Sequence, residues 1–552
     1  MTARRSTIAA VAAIVSLAVT ATLFRPPVPA RAADRARDLV RLACSLSHEE
    51  LLRTWRGWRP DRGANLQVIP QQPNFVGSGL PHVGPWDYIQ TVPMFWYGPG
   101  FIRDRGRVDR PVTVADISAT QAELLHFDEF RAPDGEVMSE AVIPTERTPK
   151  LVVVLVWDAG GTNVLQEHRS AWPYLESLIP RGTWYEGATV GSSPTSTAQI
   201  HTTIGTGAFP NHHGLIGHRL AIGDVLTTPW NLGPAFIVLP TFADVFDRAT
   251  GNRSVAGIVG TVNIHMGMMS HGAYFSGGDR DVAMTRSVVE GETLTDEGFE
   301  WNLPSRLTPY YRLADYANDV PGFDRDVRRL DQADGELDDN WRDNPIQPLL
   351  QGFDTPARIP YQQRVVEEVV RHERFGADEV PDLLYLNFKE IDFISHVWSM
   401  NSAEMRDAVV EQDRALKRFV AFLDREVGRE EWAMVITADH AAMPDPATTG
   451  AFQISSGLLA DRIQQRFDGD GDEVRVVRLV QPTQLYLDLD ELDSHGGTIE
   501  EVARYVMTFT QAQMAGAGVA PNPGEDNEPV FAAAFPSALM RELPCLPEAS
   551  GT

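Results

Sequence analysis

The chain has 552 residues, 43% of them hydrophobic and 22% charged, which is enough for one large folded domain or several ordinary ones. Its formal net charge is −27, from 75 acidic and 48 basic residues, and an acidic surface repels polyanions. We therefore expect no binding of a nucleic-acid polymer, and we expect that a small anionic ligand would need a local positive centre such as metal ions.

The first 32 residues predict a secretory signal peptide. A basic start at residues 1–5 precedes an apolar run at 8–24, and Ala-Arg-Ala at 30–32 supplies the small residues of a cleavage site. The alternative is an uncleaved anchor, because the apolar run is nearly long enough to span a bilayer. No later segment is apolar enough to cross a membrane, so we expect a secreted or cell-envelope protein without stable membrane insertion after cleavage.

The segment that follows, up to residue 150, alternates helical and extended patterns. Residues 33–62 look helical and charged, and 118–127 read as a second helix. Two apolar stretches, NLQVIP at 65–70 and TVPMFWYG at 91–98, predict strands.

From residue 151 the pattern is that of an α/β protein. Continuous apolar runs at 151–157, 254–260, 382–388 and 433–437 are typical of strands buried on both faces, and helical stretches such as 403–424 separate them. This alternation predicts a mostly parallel central sheet flanked by helices, with chemistry at the carboxyl ends of the strands. The region of about 220–380, which includes an acidic stretch at 280–345, is predicted to contain a cap or insertion.

Potential metal ligands follow three of these strands. Asp158 comes directly after the first, Asp392 and His396 follow the third at a spacing of one helical turn, and Asp439 and His440 follow the fourth. Each of these residues by itself is more often a helix cap or a satisfied core residue. Together they form a set of carboxylates and imidazoles that suits zinc or a similar divalent ion.

Between these ligands lies a hydroxyl-rich segment, residues 191–218, that includes Thr197. A hydroxyl where a helix begins is usually an N-cap. The same position also exposes a nucleophile to backbone N–H groups and to the positive end of the helix dipole, and a bound metal ion would favour its alkoxide.

These motifs resemble the alkaline phosphatase superfamily, and within it the type I phosphodiesterase/nucleotide pyrophosphatase branch. Pro194-Thr195-Ser196-Thr197, with His201 four residues beyond Thr197, matches the Pro-Thr-x-Thr run of that branch, and Gly205-Thr206-Gly207, Pro210 and His213-Gly214 follow at matching spacing. The resemblance spans about residues 150–445.

The resemblance implies roles for the candidate residues. Thr197 would be the nucleophile and would bind one metal ion together with Asp158, Asp439 and His440. Asp392 and His396 would bind a second ion. Where His218 stands the family usually has Asn, which helps to hold the phosphoryl oxygens, and an imidazole can donate the same hydrogen bond.

The family's second metal needs a further histidine, and the chain offers two. His495 is the only histidine after His440, but it lies in a sequence typical of a turn. His82 lies in a run, residues 82–88, that resembles the family's His-Gly-Ser-Pro-Tyr-x-Tyr, and a Val-Pro strand, Gly-Pro-Gly and Asp-Ile-x-x-Thr follow it in the family's order. We favour His82; the alternative is a structural histidine in a Pro/Gly-rich loop.

Because this block lies at the opposite end of the chain from its family position, we expect a circular permutant. Residues 1–32 would be the signal peptide, 33–150 the permuted segment, and 151–552 the catalytic core. The same hypothesis makes Cys44 and Cys545, the two cysteines, neighbours across the old junction and predicts a disulfide between them.

The resulting functional prediction is an exported, two-metal phosphoric ester hydrolase that acts on a small anionic phosphoester, with zinc as the favoured metal. A phosphodiester or nucleotide is the expected substrate; phosphomonoester and phosphonate hydrolysis are alternatives within the fold. Sulfatase chemistry is excluded because the required arginine is absent from 192–196. The alternative from another class is a non-catalytic binding protein on a decayed enzyme scaffold.

Overall fold

A computed structural model describes residues 30–550 apart from 287–299, 347, 350–354, 470, 472 and 517. The predicted signal peptide therefore lies almost entirely outside the described residues. Among the helices that are described, none combines the length and apolar composition needed to cross a membrane.

The strands are numbered in chain order. They are β1 Leu66–Pro70, β2 Phe75–Val76, β3 Met94–Tyr97, β4 Gly106–Thr113, β5 Leu151–Trp157, β6 Thr183–Thr189, β7 Leu220–Ile222, β8 Val225–Thr227, β9 Asn231–Pro234, β10 Ala256–Val262, β11 Asp281–Arg286, β12 Tyr311–Arg312, β13 Asn340–Trp341, β14 Asn344–Pro345, β15 Asp382–Phe388, β16 Trp432–Thr437, β17 Gln453–Ile454, β18 Val477–Gln481, β19 Gln484–Leu487 and β20 Phe531–Pro536.

The α-helices are numbered in the same way. They are α1 Ala30–Ala43, α2 His48–Arg56, α3 Asp87–Gln90, α4 Asp116–Leu124, α5 Thr162–Glu167, α6 Pro173–Leu178, α7 Thr197–Thr206, α8 Pro210–His213, α9 Phe242–Ala249, α10 Phe323–Asp331, α11 Arg358–Glu373, α12 Glu390–Trp398, α13 Ala403–Leu423, α14 Pro446–Thr449, α15 Ser456–Phe467, α16 Leu489–Ser494, α17 Ile499–Val506 and α18 Gln511–Met514.

A nine-stranded sheet forms the centre of the protein, in the order β12-β11-β10-β15-β5-β16-β3-β6-β4. Its neighbours pair in parallel except where β3 pairs with β16 and with β6, so β3 alone runs in the opposite direction. Helices cover both faces. The predicted α/β class, with a mostly parallel sheet flanked by helices, is confirmed.

The two faces of the sheet bury separate apolar cores. Along β5, residues 151, 153, 155 and 157 pack into one core, while 152, 154 and 156 pack into the other. This explains why the strand reads as an unbroken apolar run instead of an alternating one, since water reaches neither face.

The region predicted as a cap, about 220–380, also supplies part of this sheet. Strands β10, β11 and β12 lie within it and form the edge beyond β15. The position of any separate cap in this region stays a prediction.

A second, four-stranded antiparallel sheet joins the two ends of the chain. Its order is β18-β19-β1-β20, so β1 from the N-terminal segment lies between two strands from the C-terminal part. Cys44 and Cys545 form a disulfide beside it, with their Cα atoms 5.8 Å apart.

The N-terminal helical stretch is two helices instead of one. Between α1 and α2 the chain turns at residues 44–47, where Ser47 and Glu50 form a capping box that starts α2. This turn places Cys44 at the end of α1, where it reaches Cys545.

Candidate active site

The candidate donors meet at the carboxyl edge of the central sheet because three adjacent strands end at the same level. Strands β5 and β15 pair in register as far as Trp157 and Phe388, so the next residues, Asp158 and Lys389, lie side by side. Strand β16 pairs with the other side of β5, and its continuation carries Asp439 and His440 to the same edge.

One group of donors surrounds Asp158. The Nε2 atom of His440 lies 3.6 Å from Asp158 Oδ1 and 3.1 Å from Asp439 Oδ2. All three side chains are fully buried, and despite the short distance between them neither His440 Nε2 nor Asp439 Oδ2 makes a hydrogen bond of acceptable geometry with any described residue. Buried polar atoms without partners are costly, so this arrangement fits a bound cation.

A second group surrounds Asp392 on helix α12. His396, one turn later on the same helix, has its Nε2 atom 3.6 Å from Asp392 Oδ1, and His82 Nε2 lies 3.1 Å from the same oxygen. His396 Nδ1 donates a hydrogen bond of 2.5 Å to the carbonyl of Gly79, which leaves Nε2 available as a ligand atom. The structure thus brings His82 to Asp392 and His396.

His495 lies elsewhere. It ends helix α16 in the part of the protein built on the four-stranded sheet, and its Nε2 atom lies 2.8 Å from Glu491 Oε1. His495 does not meet Asp392 because it lies in a turn and not at the end of a strand of the central sheet.

His82 reaches the cluster because its loop is tied to the segment before Thr197. Thr195 Oγ1 donates a 2.6 Å hydrogen bond to the carbonyl of His82, and Gln90 Nε2 donates to the carbonyls of Gly84 and Ser192. The His82 ring stacks on that of His440, with centroids 3.5 Å apart. Burial and His440 lower the pKa of His82 to about 4, which keeps the ring in the neutral form that binds metals.

Thr197 is the first residue of α7, and its hydroxyl faces the donors. Ser196 occupies the N-cap position, without a capping hydrogen bond from its side chain, so Thr197 is the first helical residue and not the N-cap. The buried Oγ1 atom accepts a hydrogen bond of 3.0 Å from Lys389 Nζ. A nucleophile at this position also faces the free N–H groups of the first helical turn.

Lys389 is the first of three site residues that sequence reasoning missed. Its Nζ atom lies 2.7 Å from both Asp158 Oδ1 and Asp392 Oδ2, so it joins the two donor groups as well as Thr197. Burial opposes its charge, but the carboxylates of Asp158, Asp392 and Asp439 raise its pKa above the usual value. The sequence did contain a signal for Lys389, because it directly follows β15 just as Asp158 directly follows β5.

A third group lies behind Asp158, on the side away from Lys389. Asn387 Nδ2 donates to Asp158 Oδ2 at 2.9 Å and to His201 Nε2 at 2.8 Å, and His265 Nε2 lies 3.3 Å from the same carboxylate oxygen. His201 in turn donates from Nδ1 to the carbonyl of Thr197. These contacts hold the carboxylate of Asp158 in one orientation. Sequence reasoning did not identify Asn387 or His265.

His218 lies at the accessible side of the cluster. The residue is exposed, but the protein atoms around the ring partly desolvate it, and this together with the charge of Lys389 lowers its pKa. The ring is therefore neutral near pH 7 and can donate one hydrogen bond to a ligand.

The donors fit divalent cations. At this edge of the sheet, three sets of acidic and imidazole atoms lie within 4.8 Å of one another: His82, Asp392 and His440; Asp158, Asp439 and His440; and Asp158, His201 and His265. The first two surround the unpartnered atoms described above. In the third, hydrogen bonds already hold Asp158 and His201.

Comparison with known proteins identifies the family of this chain. The model of the type I phosphodiesterase/nucleotide pyrophosphatase family matches residues 152–511. Alkaline phosphatase PafA of Elizabethkingia meningoseptica is 22% identical over 408 residues, which cover 65% of this chain and 73% of that protein. A protein of Myroides odoratus described as a calcium-transporting ATPase is 25% identical over 359 residues, 56% of this chain and 63% of its own length.

A crystal structure of wild-type PafA resembles this chain with a TM-score of 0.48 and 19% identity, over 66% of this chain and 77% of that one. The family match covers well over half of the 552 residues. The predicted superfamily is confirmed, and the chain belongs to the type I phosphodiesterase/nucleotide pyrophosphatase family, whose members are phosphoester hydrolases.

Proposed function

We propose that this protein is an exported, two-metal phosphoester hydrolase that forms a phosphothreonine on Thr197. The observation that carries the proposal is the position of the Thr197 hydroxyl, which faces two groups of buried donors at one edge of the central sheet. A phosphodiester or nucleotide substrate is the first candidate, in agreement with the matched family.

Seven side chains would hold the metal ions. Asp158, Thr197, Asp439 and His440 form one set, and His82, Asp392 and His396 form the other. Nitrogen and carboxylate donors suit zinc. When bound, two such ions supply positive charge to the phosphoryl oxygens and favour loss of the proton from the nucleophile.

The protein's own groups then account for the reaction path. The Thr197 oxygen attacks phosphorus in line with the leaving oxygen, so the new O–P bond forms as the bond to the leaving alcohol breaks. The free N–H groups at the start of α7, beside Thr197, would donate hydrogen bonds to the phosphoryl oxygens. Water then cleaves the Thr197 O–P bond and releases the phosphoryl product.

Lys389 adds a fixed positive charge at the nucleophile. Its Nζ–H donates to Thr197 Oγ1 and stabilises the oxygen as it gains negative charge. Because this is an additional cation next to the phosphoryl position, it favours a dianionic phosphomonoester over a monoanionic diester. Phosphomonoester hydrolysis is therefore the second candidate function.

The test compares hydrolysis of bis-p-nitrophenyl phosphate and p-nitrophenyl phosphate by the zinc-loaded enzyme. We expect turnover that a chelator abolishes and zinc restores. Thr197→Ala is expected to lose at least about 10³-fold in kcat, whereas Thr197→Ser keeps a hydroxyl nucleophile and retains activity. Turnover that resists the chelator, or that survives in Thr197→Ala, would contradict the mechanism.

The same enzyme answers two further questions. The ratio of kcat/KM for the two esters ranks diesterase against monoesterase, and hydrolysis of a phosphonate ester tests the third alternative. Absence of turnover with every ester, in protein shown to contain metal, would favour the binding-protein hypothesis.

Metal content distinguishes the two histidines. His82→Ala is expected to reduce the bound zinc from two ions per chain to one. His495→Ala serves as the matched control, because its ring pairs with Glu491, and it should keep both ions. Equal zinc content in the two variants would remove His82 from the metal site.

We further propose that the chain is a circular permutant. Its support is the family match that begins at residue 152, the place of β1 between β19 and β20, and the disulfide between residues 44 and 545. The rearrangement can be reversed in an engineered variant, in which the two present ends are joined near this disulfide and new termini are made in the exposed loop at 146–147. This variant should be an active enzyme. An insoluble or inactive product would count against the permutation.

Export rests on the signal sequence at residues 1–32 and on the disulfide, which is typical of oxidising compartments. N-terminal sequencing of the protein from the culture medium or cell envelope should begin near residue 33. A reduced, full-length protein found only in the cytoplasm would contradict export.

A further inference from the structure

Three aspartates outside the candidate active site lie close together beside the edge of the central sheet. Asp247 belongs to helix α9. Asp279 lies in the loop just before β11, and Asp281 is the first residue of that strand. One carboxylate oxygen of each lies within 4.8 Å of the other two. Asp247 and Asp281 are buried, with exposed fractions of 3% and 7%, whereas Asp279 is exposed to solvent.

No direct ion pair with a described residue balances these charges; Arg248 and Arg312 act on Asp247 and Asp281 only from a longer distance. None of the three aspartates takes part in an ion pair with any residue for which the structure describes a side chain. The carboxylate of Asp247 accepts no hydrogen bond among the described residues, and its Oδ1 atom is shielded from solvent. Asp281 accepts a hydrogen bond from the hydroxyl of Ser270. Like charges held this closely, and partly out of water, destabilise a fold unless something neutralises them.

We propose that Asp247, Asp279 and Asp281 bind a calcium ion. All the donors are oxygen atoms, the ligands that calcium takes, and zinc would favour nitrogen or sulfur. Calcium–oxygen distances are about 2.3–2.6 Å, so two ligands of one ion lie up to about 5 Å apart, which agrees with the spacing of this cluster. The exposed Asp279 leaves one side of the site open to water, which completes the coordination shell.

The site would connect two parts of the protein that the backbone does not join directly. Helix α9 precedes β10, while Asp281 begins β11, the strand that pairs with β10 in parallel. A cation held by both would stabilise this edge of the sheet without contact with Thr197 or its neighbours. Three carboxylates and an open side are typical of sites with dissociation constants of about 10⁻⁴–10⁻³ M, the range of extracellular calcium modules.

Isothermal titration of the zinc-loaded, full-length mature protein with CaCl₂ tests the proposal. We expect one calcium ion per chain, and at least tenfold weaker binding in Asp247→Asn and Asp281→Asn. Asp104→Asn is the matched control, since Asp104 is exposed just before β4, at the opposite edge of the nine-stranded sheet from β11, and it should bind calcium as the wild type does. Binding is read from heat, so the result does not depend on hydrolytic activity or on the proposed function.

Thermal unfolding provides a second readout that guards against misfolded variants. Without calcium, Asp247→Asn should melt at a temperature equal to or above that of the wild type, because it removes a repulsive charge and keeps the shape. With 10 mM CaCl₂ the wild type should gain stability and the variant should not. Absence of calcium binding by the wild type, undiminished binding by both Asn variants, or equal affinity for MgCl₂ would overturn the proposal.

Discussion

Replacement of Lys389 by Met is the most informative single change in the candidate active site. Met has nearly the length of the lysine side chain but carries neither a charge nor a donor. The variant removes the 3.0 Å hydrogen bond to Thr197 Oγ1 and the two 2.7 Å contacts with Asp158 and Asp392. Lys389 is one of three lysines in the chain, and its side chain is only 6% exposed.

Two magnitudes follow from this geometry. Loss of one preorganised donor to a developing oxyanion costs about 10²–10³ in kcat, or about 2.7–4 kcal/mol. Loss of one partner from a buried charge cluster costs about 3–5 kcal/mol of folding stability, because the carboxylates stay buried without compensation. The second effect applies to the metal-free protein, since bound cations would compensate the same carboxylates.

The assay measures kcat for p-nitrophenyl phosphate with zinc in excess, after metal analysis has shown equal zinc content in wild type and variant. Thermal unfolding in chelator measures the stability of the metal-free form. Lys417→Met is the matched control, because Lys417 is exposed on helix α13, and neither quantity should change. If Lys389→Met keeps more than a tenth of the wild-type kcat, the lysine does not stabilise the nucleophile and serves only to balance charge when metal is absent.

Two further predictions concern stability. The double variant Cys44→Ser/Cys545→Ser should lose about 2–5 kcal/mol of unfolding free energy, because the bridge closes a loop of 501 residues. Reduction of the wild type should cause the same loss. An unchanged melting temperature would show that the four-stranded sheet alone holds the two ends together. Burial lowers the pKa of His213 to about 3, so the folded state binds fewer protons than the unfolded state between about pH 3 and 6.5, and stability should fall as the pH falls through that window. His213 should account for a loss of about 2 kcal/mol of unfolding free energy between pH 6.5 and 5. Urea unfolding at several pH values measures this free energy, and it should depend less on pH in His213→Gln than in the wild type. The same pH dependence in both proteins would contradict the assignment.

Local sequence patterns predicted much of the architecture. The apolar runs at 151–157, 382–388 and 433–437 became β5, β15 and β16 with nearly the expected bounds, and the helix expected at 403–424 is α13. These segments were predictable because a strand buried on both faces must be apolar throughout, whatever its neighbours are. The position of β3 was not, since its apolar residues do not show that it runs against every other strand of the sheet.

The sequence by itself determined which residue types stand at the ends of the strands, and hence the carboxylates, imidazoles and the threonine available for chemistry. The family resemblance already favoured His82 over His495 and predicted the bridge between residues 44 and 545, but only the tertiary structure showed these contacts and the position of Lys389 between the two donor groups. The physical reason is that strand order and register decide which distant residues become neighbours. Both depend on how all the strands pack together, and no local pattern encodes them.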